Sequence, residues 1–248
     1  MLRCRSSSFA AVLFLSGIAQ AQDPALSLVV TGVQLSENDF QVHLENRSSK
    51  TITAFALAYS FTYKNGKRRV WGNNVDYMWG LIFMLPETDD PAAIAPIKPG
   101  GVRYVRQPFL RDTDGALPTA VDNVGITAVI FDDATGAGQH TTLDDMFADR
   151  KEIDGQLSRW LPEFEAAERS ANPAAELRKL AKRLGTVPDA PQVVGGISST
   201  QQVLKQMVDS MLAFGVAPPS KAFETVRSMT KNIKAHSSRR NPREGAVQ

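Results

Sequence analysis

The chain has 248 residues, 43% hydrophobic and 22% charged, with a formal net charge of +2. That length can bury a substantial core, and the near-balance of charge excludes the strong basic field of a nucleic-acid-binding domain. The single cysteine, Cys4, excludes a disulfide-stapled scaffold and a thiolate metal site.

The first residues have the order of a secretory signal. Arg3 and Arg5 form a positive start, an apolar run follows from Phe9 to Ile18, and Ala19-Gln20-Ala21 offers a small-x-small cleavage site. The apolar run is shorter than the ~20 residues a membrane crossing needs. A signal peptide is therefore expected over 1–21, with the product exported to a periplasmic or extracellular location. Cys4 leaves with it, and no cysteine follows the cleavage site to take a lipid anchor.

Strand patterns fill the next hundred residues. Leu26 to Leu35 reads as a first strand. Phe40, Val42 and Leu44 alternate with Gln41, His43 and Glu45, which is the period of a half-buried strand. Asn46 to Lys50 is a polar turn, and Asn46-Arg47-Ser48 would be a glycosylation sequon in a eukaryotic host. Thr51 to Tyr63 is rich in β-branched and aromatic residues. Asn65-Gly66 then marks a hairpin, because both residues tolerate positive φ. A return strand from Lys67 runs into an aromatic stretch, Trp71 to Leu85. Four prolines and Gly100-Gly101 make 86–101 a loop. Val102–Phe109 and Val124–Phe131 are further strands, with a turn at Asp112–Gly115 between them and a closing segment from Asp133 to Gly138. Roughly seven strands in about a hundred residues is the pattern of a β-sandwich.

The turn Asn46-x-Ser48, the run Lys50 to Ala54, the hairpin at Asn65-Gly66, the turn Pro99-Gly100 and the strand Ile126–Phe131 together resemble exported bacterial Ig-like or fibronectin-III-like domains. The resemblance covers about 26–140. It implies a β-sandwich of Ig-like type over 22–140 and no particular activity.

From Thr142 the period becomes helical. Thr142 and Asp145 form a capping pair, and Leu143, Met146, Phe147, Arg150, Leu157, Trp160, Leu161 and Phe164 make an apolar stripe with three- and four-residue steps. Pro162 is expected to kink or end this helix. Asn172-Pro173 starts a second helix with Leu177, Leu180 and Leu184, and Gly185 stops it. The expected helical region thus spans 141–184, followed by a linker over 185–198 and a helical hairpin over 199–236. Its first helix, 199–214, carries Val203, Met207, Met211 and Phe214. Its second is capped by Ser220 and carries Phe223, Val226, Met229 and Ile233. A basic, disordered tail is expected over 237–248.

Motif chemistry is sparse. Ser228-Met229-Thr230-Lys231 fits the S-x-x-K pattern of penicillin-recognising enzymes, but the partner elements S-D-N and K-T-G are missing. His43-x-Glu45 fits the H-x-E of zinc deaminases without their cysteine partner, and reads as one solvent-facing pair on a strand. No catalytic set and no cofactor are expected.

Three surfaces remain as candidates. Trp71, Tyr77 and Trp79 stand beside Asn73, Asn74 and Asp76, a grouping that suits a sugar ring; the ordinary alternative is an aromatic core. Asp133, His140, Asp145 and Asp149 form an acidic group able to hold a hard cation or zinc, although acidic residues also simply suit a turn and a helix start. Arg227, Lys231 and Lys234 share one face of the last helix, fit for an anionic membrane surface or a partner groove, or for solvent. The expected function is a non-enzymatic envelope protein that binds another macromolecule, protein or glycan but not nucleic acid. The alternatives are a carbohydrate-binding module and a metal-dependent hydrolase.

Overall fold

The computed structural model describes residues 26–78, 95–185, 200, 201, 204, 205, 208, 209, 212 and 219–239. Seven strands form two antiparallel sheets. β1 (Leu28–Leu35), β2 (Asp39–Asn46) and β5 (Val102–Pro108) make one sheet in the order β1-β2-β5. β3 (Ile52–Tyr63), β4 (Arg68–Asp76), β6 (Pro118–Phe131) and β7 (Gly136–Gly138) make the other, in the order β4-β3-β6-β7. The alternation seen in β2 does what its period requires: Phe40, Val42 and Leu44 are fully buried between the sheets. Phe40 sits at the centre, edge-on to Tyr59 at 5.0 Å and Phe61 at 5.9 Å.

The expected hairpin at Asn65-Gly66 forms. Gly66 takes a φ of 77°, and the Asn65 side-chain oxygen accepts from Lys67 N–H at 3.0 Å. β6 starts at Pro118, six residues before the expected Val124, and this is a correction. Its early part pairs with Phe61–Tyr63 across several register shifts, and Asn123 lies at a φ of 49° within it. Those irregularities break the alternation that would have betrayed the strand.

β3 is buried on both faces, and its composition shows how. Phe55, Leu57, Tyr59, Phe61 and Tyr63 face the sandwich core, while the small residues Ala54 and Ala56 face outward. On that outer face Ala54, Ala56, Ala128 and Ile130 receive Leu143, Met146 and Phe147 of α1 (His140–Glu168). Small side chains on the sheet let the helix approach closely.

The rest of α1 is a scaffold for the other helices. Ile153, Leu157, Trp160, Phe164 and Ala167 make a second core with Leu177, Leu180 and Leu184 of α2 (Pro173–Leu184) and with Phe223, Val226 and Ile233 of α3 (Pro219–His236). Leu204 and Val208 join it. Three helices are described in full rather than the four expected. The expected segment 199–214 is covered only at seven positions, all helical, and its Val203, Met207, Met211 and Phe214 lie outside the described residues, as do 186–199 and 240–248.

At two points α1 departs from what its sequence suggests: of the two outcomes expected at Pro162, a kink or an end, the end does not occur, and the expected cap does not form. Pro162 does not end the helix: it is exposed, so the lost hydrogen bond leaves the Ser158 carbonyl near water, and the stripe on the opposite side continues through Phe164 to Ala167. Nor does Thr142 cap it. The N-cap is Gln139, with no side-chain cap bond, because β7 runs almost directly into the helix. By contrast Asn172 does cap α2, accepting from Ala175 N–H at 3.1 Å.

Candidate functional site

One buried ion pair fastens the helices to the sandwich. Arg150 is fully buried, at the point where the α1 stripe passes from sheet to helical core. Its guanidinium donates twice to Asp76 at the end of β4, at 2.6 and 3.0 Å, to Thr53 Oγ1 at 3.1 Å, and to the His236 carbonyl at 3.4 Å. A planar fork satisfied on several sides fits such a position better than a lysine would. The stripe reading had treated Arg150 as part of an apolar face. A cation at a core position of an amphipathic helix was the signal for this network.

This network decides the fate of the aromatic group. The β3–β4 register pairs Tyr59 with Trp71, Leu57 with Asn73, Ala56 with Asn74 and Ala54 with Asp76. Trp71 and Asn73 therefore share the inner rim of the sandwich, while Asn74 and Asp76 belong to the outer face. Asp76 is engaged by Arg150. Tyr77 is buried beneath the Arg103 guanidinium, whose carbon is 5.4 Å from the ring centre; burial pushes the phenol up to about 12, against the lowering effect of Arg103. Trp79 lies outside the described residues. Of the five described residues expected to line a sugar site, the fold brings Trp71 and Asn73 onto a common inner rim and turns Asn74 and Asp76 to the other face.

The acidic group is dispersed as well. Lys50 holds Asp133 at 2.6 Å and donates to Thr135 at 3.0 Å. Burial raises the Asp133 carboxyl, but its bonds from Lys50 and Thr135 outweigh this and leave it below the usual carboxylate range. His140 lies 2.7 Å from Asp144, one turn along α1. Asp149 is pushed up by burial and by Glu152, Asp145 and Asp76. Among the described residues no group of three or more His, Cys, Asp or Glu is placed to hold a metal.

The basic face of α3 is partly neutralised. Arg227 pairs with Glu168 at the end of α1, while Lys231 and Lys234 remain exposed. Ser228 and Lys231, of the S-x-x-K match, are both exposed on this helix. His43 lies edge-on to Tyr104 at 4.6 Å and Glu45 pairs with Arg47 at 2.8 Å, on the outer face of the β1-β2-β5 sheet. Asn46 is fully buried, and its amide donates to the carbonyls of Lys50 and Ile97 at 2.9 and 2.8 Å, so the sequon nitrogen is not displayed.

A different surface stands out instead. The large hydrophobic residues that are exposed among those described are Val70 (77%), Trp71 (38%), Val102 (53%) and Tyr104 (56%). All lie on β4 and β5, the strands at one edge of each sheet. These two edges border the same side of the sandwich, where Asn73 donates to Gln107 across the gap at 3.2 Å. Sequence reasoning reached Trp71 but missed Val70, Val102 and Tyr104. Periodicity shows which residues share a face, and only the strand order shows which strands end at an edge.

No protein-family model, curated protein or solved structure matches the chain.

Proposed function

We propose that this is an exported, non-enzymatic protein that binds another macromolecule, a protein or a glycan of the cell envelope, through the β4–β5 side of an Ig-like sandwich. The observation that carries the reading is the exposure of Val70 and Trp71 on β4 and of Val102 and Tyr104 on β5, the edge strands that border one side of the sandwich, with Val70 and Tyr104 on the outer faces of opposite sheets and Trp71 on the rim between them. Large apolar side chains exposed along two adjoining edges offer a surface to a partner that wraps this side of the sandwich. The strand order β1-β2-β5 against β4-β3-β6-β7 supports the Ig-like assignment. The pattern of residues 1–21 supports export. Lys231 and Lys234 provide a second, weaker contact for an anionic partner or membrane surface.

The test is affinity purification after in-cell crosslinking, comparing the wild type with a Val70→Glu, Tyr104→Glu double variant. A stoichiometric partner captured by the wild type and lost from the folded variant supports the reading. Equal capture by both moves the surface elsewhere.

A glycan reading is favoured by one observation, the pairing of exposed Trp71 with Asn73 on the same rim. Retention of the wild type on a polysaccharide matrix, abolished by Trp71→Ala, would select it.

A further inference from the structure

We propose that the edge of β4, beside which no strand lies among the described residues, binds an extended acidic peptide by strand addition, the peptide becoming the outermost strand of the β4-β3-β6-β7 sheet. This rests on the preceding reading and names the class of partner. An exposed strand edge offers unpaired backbone donors and acceptors as a template, and natural edges are usually blunted by shortness, bulges or proline. Among the described residues two of the four edges are so blunted: β1 carries a register shift between Val30 and Gly32, and β7 has three residues, while β5 has seven with a proline at its end, Pro108. β4 has no such break: its nine residues contain no proline and pair with β3 in unbroken register from Asp76 to Arg68, and its charges stand only at its two ends, Arg68 and Arg69 at the start and Asp76, held by Arg150, at the finish. Among the described residues β3 is its only strand partner.

The side chains along this edge specify what would lie beside it. Arg68 and Arg69 meet no carboxylate among the described residues; Arg68 donates to Ser60 Oγ at 3.1 Å. Exposed Lys64 and Lys67 extend the positive charge over the hairpin, with Asp114 4.0 Å from Lys67. Exposed Val70 and Trp71 come next, then Gly72 and the amides Asn73 and Asn74. An antiparallel strand laid along β4 places apolar residues opposite Trp71 and Val70, then acidic residues opposite Arg69 and Arg68. Cross-strand neighbours of opposite charge and of apolar type both stabilise a sheet. The recognised pattern, read from the peptide's N-terminus, is apolar-apolar-acidic-acidic.

The probe is a fluorescein-labelled peptide, Ser-Thr-Thr-Val-Val-Glu-Glu-Ser, titrated by anisotropy against the chain purified after export. Saturable binding is expected, weakened about tenfold when the two glutamates become lysines. An Arg68→Glu, Arg69→Glu variant should reverse that preference, and N-methylation of alternate peptide amides should abolish binding. If the variant does not fold, the glutamate-to-lysine comparison on the wild type still decides. No saturable binding, or binding indifferent to both the charge exchange and N-methylation, overturns the proposal. So does a concentration-dependent dimer lost in the variant without peptide binding, since the edge would then serve a second copy. Capture of an envelope partner through Val70 and Tyr104 without peptide binding overturns strand addition alone. Failure of that capture counts against the broader reading.

Discussion

Arg150 ties several elements together, since its hydrogen bonds join β3, β4 and the end of α3 to α1. Replacing it by methionine keeps much of the volume but leaves Asp76 without its cation, a loss expected to cost about 3–5 kcal/mol. Arg150→Lys should recover only part of this, because an ammonium cannot form the two-pronged bond. Denaturant unfolding of both variants measures the difference. Asp149 has the opposite character. Burial, Glu152, Asp145 and Asp76 raise its folded pKa above the unfolded value, so the folded state holds the proton more tightly. Its contribution to stability is present at acid pH and is lost as pH rises through the window between the two values. Asp149→Asn should therefore stabilise the protein near neutral pH and change little below the unfolded carboxylate range, which thermal melts across pH would show. The cation within the helix stripe signalled a buried partner for Arg150 without naming it, and nothing signalled the burial of Asp149. Both residues read as helical, and the packing of that helix on β3 and β4 brings Asp76 and Thr53 to Arg150 and adds burial and Asp76 to the charges of Glu152 and Asp145 around Asp149.

At the scale of elements, much was readable where one physical pattern acts alone. The alternation of β2, the Asn65-Gly66 hairpin and the Asn172-Pro173 helix start all formed as their local chemistry dictates. Reading failed where patterns overlap. β3 alternates large and small residues, which marks a strand buried on both faces, yet nothing local says that a helix covers the small ones. β6 hides its first half behind register shifts. The junction between β7 and α1 is the tightest point. Gly138 has a φ of 116°, and a Cβ there would lie 2.3 Å from the Thr127 carbonyl oxygen; one at Gly136 would meet Leu143 at 2.7 Å. Gly138→Ala should destabilise by about 2 kcal/mol or more, through backbone strain and steric overlap together. Gly155, midway along α1, has open space around its Cβ position. Gly155→Ala should stabilise by roughly 0.5–1 kcal/mol. Measuring the pair by chemical denaturation separates a structural glycine from a dispensable one.

At the scale of the whole molecule, among the described residues the helices cover one face of the sandwich and leave Val70, Trp71, Val102 and Tyr104 of β4 and β5 exposed. α1 lies over the Ala54, Ala56, Ala128 and Ile130 face, and its remainder builds a helical core with α2 and α3. Among the described residues no helix is long and apolar enough to cross a membrane. The candidate sugar and metal sites were assembled from residues near one another in the chain; the strand register turns Trp71 and Asn73 to one face and Asn74 and Asp76 to the other, and ion pairs engage Asp76, Asp133 and His140. The surface left over joins β4 to β5, strands separated by a long connection, and so has no compact signature in the sequence. The most direct test of the account is site-specific photo-crosslinking in the producing cell, with the crosslinking residue placed singly at Val70, Tyr104, Lys151 and Lys231. The account predicts a covalent adduct of one discrete partner from Val70 and Tyr104 and none from Lys151 on α1. Adducts absent from Val70 and Tyr104, or confined to Lys231, would contradict it and move the interaction surface to the helices.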